Sequence, residues 1–179
     1  MDEQSKVTRA ANRLTSLLFV IYLIVLSWIL LFKLGIRFSY IENRSVNLIP
    51  FSEPLILNGK MDVSEIILNV VIFVPLGIYG EILLERWVFS KKLFFFFLIS
   101  LLVEGLQFIL AIGAFDITDI LTNTLGGVIG LLLCKAITKA FHNNVKAQKF
   151  INAIAATGTA LLILLLVLLK MNMLPIRYK

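Results

Sequence analysis

Residues Glu104–Gly130 read EGLQFILAIGAFDITDILTNTLGGVIG, and this stretch decides the fold. It is apolar enough for lipid, yet it carries Glu104, Gln107, Asp116, Asp119 and Asn123. An ionisable side chain at the centre of a bilayer costs ~2.5–3.5 kcal/mol on insertion scales. A chain that keeps several of them together gives them partners or a task. The spacing predicts a helical hairpin turning near Gly113–Phe115, with the remainder of the protein forming the bundle that holds it.

Composition agrees. Of 179 residues, 59% are hydrophobic, and the mean hydropathy is +0.94, whereas soluble domains run at ~45–50% apolar. The expected class is an all-α, polytopic membrane helix bundle. A net charge of +6 fits Lys and Arg at helix ends facing anionic lipid. No basic stretch interleaved with aromatics points to nucleic acid. Cys134 is the one cysteine and His142 the one histidine, so no intrachain disulfide and no ordinary zinc site is expected. No cofactor is implied.

Outward from the hairpin, the chain divides into about five transmembrane helices and two tails. Residues 1–13 are a polar tail, and a first span covers 14–34. Residues 35–63 form the longest connection, containing NLIPF (Asn47 to Phe51), Pro54 and the turn pair Asn58-Gly59. Its apolar residues suit a headgroup-level loop or a cap on the bundle. The second span, 64–84, carries Asn69 and Pro75; the proline leaves the carbonyl of Val71 without its usual helix donor. The third span is 93–112. The fourth begins at Asp116 and runs to Cys134 or beyond, and the fifth is 150–169. Residues 14–170 form one domain, and 171–179 close the chain. Ten Lys and Arg fall on the side of the N-terminal tail and seven on the other. The positive-inside rule then places the N-terminus in the cytoplasm and the longer loop and hairpin turn outside.

Glu104 and Gln107 share one helix face; Asp116, Asp119 and Asn123 share another. Lipid offers neither face a partner, so both point into the bundle. At ~1.5 Å per residue, Glu104 lies ~13 Å below the turn and Asn123 ~12 Å, which pairs their depths. Asn69 enters from the same side. The candidate ligand-binding set is therefore Asn69, Glu104, Gln107, Asp116, Asp119 and Asn123, with Asn47 and Phe51 in a lid. Structural roles compete at several positions. Asp116 with Asp119 resembles a capping box, Asn123 suits an interhelical hydrogen bond, and Gly126 with Gly130 makes a GxxxG packing motif. The carboxylate spacing matches no ion-binding loop, so no metal site is expected. Thr118, Thr122 and Thr124 lack a neighbouring histidine, which argues against a nucleophile.

NLIPF, NVVIFVPLG, EGLQ and FDITDILTNTLGGVIG, in this order, resemble the VanZ family, and the resemblance covers residues 14–170. Many members carry Arg before the FD pair, where this chain has Ala114. The resemblance implies low-level resistance to teicoplanin, a lipoglycopeptide, in the Gram-positive cell envelope, without altering the peptidoglycan precursor. The partners it implies are membrane lipids and an amphiphile, either the antibiotic or a lipid-linked wall precursor. The alternatives are an intramembrane enzyme using the carboxylates on a lipid substrate, or a small transporter. Oligomeric state is left open.

Overall fold

The computed structural model describes residues 3–32, 45–51, 56–57, 60–61 and 63–170. The readings at Pro54, at Asn58-Gly59 and over the 171–179 tail lie outside these residues. Among the described residues, five helices are long and apolar enough to cross a membrane: α1 (Glu3–Phe32), α2 (Ser64–Leu83), α3 (Phe89–Ile109), α4 (Ile117–Phe141) and α5 (Asn144–Lys170). The all-α bundle and multi-pass membrane class expected from composition are what the chain forms. Two-residue strands accompany the helices among the described residues: β1 (Val46–Asn47), β2 (Ile56–Leu57), β3 (Lys60–Met61) and β4 (Phe115–Asp116). β2 pairs antiparallel with β3, and β1 pairs parallel with β4.

The centre of the bundle is the contact between α2 and α4. An added Cβ at Gly126 would overlap the backbone of Val70, one at Gly130 that of Val74, and one at Gly77 that of Gly127. Three glycines thus let two helix backbones touch, the close approach that small residues allow in membranes. Phe96 of α3 packs over Gly127 and Gly80, and joins Leu26, Leu30, Phe73, Leu76 and Leu131 in the buried core. The Tyr22 hydroxyl of α1 donates to the carbonyl of Ile72 at 2.8 Å. That acceptor is next to Val71, the carbonyl Pro75 was expected to strand.

Both outer helices start earlier than their apolar runs. α1 begins at Glu3, inside the stretch that read as a polar tail, and α5 at Asn144, six residues ahead of the expected fifth span. The reason is a polar seam between them. Gln148 Nε2 donates to Thr15 Oγ1 at 2.8 Å and to Asn12 Oδ1 at 2.9 Å. Asn152 Nδ2 donates to Ala11 O at 3.1 Å, and Thr15 Oγ1 lies 2.9 Å from Asn152 Oδ1. Amides that satisfy one another across two helices let both continue past their apolar segments.

α3 ends sooner than expected, at Ile109 rather than Ile112. Ala111 takes the left-handed conformation, with φ 56°. The N–H of Ala111 donates to Phe108 O at 3.2 Å, and that of Ile112 to Gln107 O at 3.0 Å. This bond pair is a Schellman cap, which usually has glycine where Ala111 stands. Relief of ~1–2 kcal/mol of left-handed strain, less ~0.4–1 kcal/mol of added chain entropy, sets the expected result for Ala111→Gly. The variant should gain up to ~1.6 kcal/mol, a melting rise of at most ~3–6 °C in detergent. A clear drop would mean that another contact holds Ala111 in place.

Candidate functional site

The early end of α3 determines the site. Glu104 sits five residues, or ~7.5 Å, below that end, instead of the ~13 Å below the turn expected from sequence. It therefore meets the start of α4 rather than the end of its second turn, where Asn123 stands. The Asp116 backbone N–H donates to Glu104 Oε2 at 3.3 Å. Asn123 pairs one turn deeper, its Nδ2 donating to Ser100 Oγ at 3.0 Å. Asn123 is 1% exposed, and its Oδ1 is a buried acceptor that meets no donor. The depth match expected between Glu104 and Asn123 is thus displaced by one helical turn.

Asp116 is the N-cap of α4. Its Oδ1 accepts from the Thr118 N–H at 2.6 Å, and its Oδ2 accepts from Asn47 Nδ2 at 3.0 Å. The capping box is not the one read from sequence, because Glu104 of another helix takes the backbone N–H of the cap residue. Asp119 lies one turn on and accepts from Asn69 Nδ2 at 2.7 Å, which ties α2 to α4. Gln107 Nε2 donates to Leu30 O at 2.8 Å, near the end of α1.

The loop residues act through backbone and amide. β1 pairs Val46 with Phe115 and Asn47 with Asp116, and the Phe115 N–H donates to Ser45 O at 3.1 Å. The Phe51 N–H donates to Thr118 Oγ1 at 3.0 Å, while the Phe51 ring is 55% exposed. So Asn47 and Phe51 fasten the loop to the head of α4.

Between these elements lies a cavity of about 220 Å³. Of the predicted residues, Asn69, Glu104, Gln107, Asp116 and Asp119 line it; Asn123, Asn47 and Phe51 do not. Ile29, Leu30, Leu68 and Ile72 supply an apolar side. Glu65 also lines it, and sequence reading missed it. The available signal was its place four residues before Asn69, on the same helix face. No cationic side chain is among the lining residues. No group of three Asp, Glu, His or Cys among the described residues is placed to hold a metal. The hydroxyls of Thr122 and Thr124 donate to carbonyls one turn back, Thr118 O and Ile120 O, at 3.0 and 2.7 Å. The cavity can therefore offer acceptors, amides and an apolar wall, while these two threonine hydroxyls are spent on helix carbonyls.

The family model for VanZ/LLP1 matches residues 19–139. Over 153 residues the chain is 40% identical to Protein VanZ of Enterococcus faecium, covering 84% of this chain and 89% of that protein. The chain belongs to the VanZ/LLP1 family. No solved structure matches it. The VanZ/LLP1 segment takes in every residue that lines the acidic cavity. The first turns of α1 and all of α5 lie outside it.

Proposed function

We propose that this VanZ/LLP1 chain is a non-enzymatic membrane accessory protein that lowers susceptibility to teicoplanin-type lipoglycopeptides. It does so by holding an amphiphile, the antibiotic or a lipid-linked wall precursor, at the acidic cavity. The cavity itself carries the reading. A recess of about 220 Å³ that gathers the carboxyls of Glu104, Asp116 and Asp119, with Glu65 at its rim, is costly within membrane-spanning helices, and function is the usual reason such groups are kept. The excess of Lys and Arg on the N-terminal side favours a cytoplasmic N-terminus, with the cavity opening toward the outer leaflet. An acyl chain in that leaflet would lie beside Leu68 and Ile72, with its polar portion toward the carboxylates. The family resemblance supports the antibiotic class.

The test is substitution of Glu104→Gln and Asp119→Asn singly, at matched membrane levels. Each should lower teicoplanin resistance by at least about half while vancomycin susceptibility stays constant. Full teicoplanin resistance in both variants would remove the cavity from the mechanism. Labelling of a cysteine placed at Gly113 from the cell exterior tests the orientation.

A further inference from the structure

At the opposite end of the bundle a crevice of about 780 Å³ opens between the first half of α1, the end of α2, the last turns of α4 and the start of α5. A second recess of about 430 Å³ shares Glu81, Thr138 and Asn144 with it. The two form one depression, and its chemistry is graded. Leu83, Leu84, Val145 and Ile151, which line the larger part, are buried or half-buried. Arg86 of the larger part, and Lys135, Lys139 and His142 of the smaller, are exposed. Of the two acids, Glu81 is held at 2.6 Å by the buried Lys92, so its charge is balanced from within the bundle. Glu85 alone then stands against Arg86, Lys135 and Lys139. The depression carries a positive excess at its surface over a floor of these apolar side chains, interrupted by the Gln148 amide that Asn12 and Thr15 hold. α5 also begins here, with Asn144 lining both parts, and a helix N-terminus adds amide donors and the favourable end of its dipole for an anion.

We propose that this depression binds the phosphate headgroup of an anionic lipid, with the first acyl carbons along Leu83, Leu84 and Ile151. The larger part, about 780 Å³, falls within the ~300–1,000 Å³ of small-molecule sites. The apolar floor selects a lipid-borne phosphate over a soluble one. The site is separate from the acidic cavity and shares none of its lining residues.

The chain holds two tryptophans; Trp87 lines the crevice and Trp28 lies near the far end of α1. A Trp28→Phe protein therefore reports on Trp87 alone. The purified full chain in a neutral detergent is titrated with dioctanoyl phosphatidic acid, dioctanoylglycerol and inorganic phosphate. Phosphatidic acid should change Trp87 emission saturably, and more weakly as salt is raised. Lys135→Gln with Lys139→Gln should weaken binding about tenfold without moving the melting temperature, since both side chains are exposed. Arg86→Gln serves as a second variant should that pair fail to fold. Equal binding of dioctanoylglycerol, or unchanged affinity in the charge variants, would overturn the proposal. Inorganic phosphate binding as tightly as the lipid would overturn the lipid-borne source.

Discussion

Gly130→Ala is expected to cost ~3 kcal/mol, the upper part of the range for overpacking, and Gly130→Leu to abolish the folded protein. The added methyl would collide with the Val74 carbonyl and the amide of Ile78. Those are backbone atoms in the middle of α2, so no side-chain rotation relieves the clash. α2 and α4 would have to part, and the loss would spread to Phe96, which packs against Gly127 beside the same seam. Thermal unfolding in detergent reads the effect. Gly105→Ala and Gly158→Ala are the controls, because an added Cβ there meets nothing within 4 Å; both should be neutral or slightly stabilising. Equal melting temperatures for Gly130→Ala and Gly105→Ala would show that the two backbones do not touch.

Lys92→Met should cost a similar amount, ~3–5 kcal/mol, with the lower figure expected because Glu81 keeps some solvent. The Lys92 side chain is 4% exposed and that of Glu81 20%. Removal of the ammonium leaves a carboxylate on α2 facing a wall it was paired against. Glu81→Leu combined with Lys92→Met should recover most of the loss, since a buried pair replaced as a unit is often neutral. The double-mutant cycle measures the coupling, and additive effects of the two changes would show that the pair does not act as one.

The spans, their number and the polar faces of the hairpin were legible because each is a matter of hydrophobic run length and three-to-four spacing. The partners were not. Gly113 drew the expected turn to itself, yet the left-handed residue is Ala111, and three residues of helix were assigned where there are none. That displacement moved Glu104 off Asn123 and onto Asp116. Lys92 fell between the second and third expected spans, and only the packing of α3 against α2 reveals that it is buried. Asn12 and Gln148 fell outside the expected spans. Each is satisfied by a residue more than 130 positions away, which no local pattern encodes. Glu65 was within reach of the periodicity argument that found Asn69.

The parallel pairing of β1 with β4 has a consequence for biosynthesis. Asn47 leaves the ribosome early, but its partner Asp116 follows 69 residues later. At ~5–20 residues per second the loop waits on the order of 3–14 s. Two further spans must be threaded into the bilayer in that interval. A nascent chain halted after α3 would carry Glu104 already inserted, with no α4 amide to receive it. The acidic chamber is thus the last thing this half of the molecule completes, and a chain arrested before that step would hold Glu104 in the bilayer without the Asp116 contact that ties α3 to the head of α4.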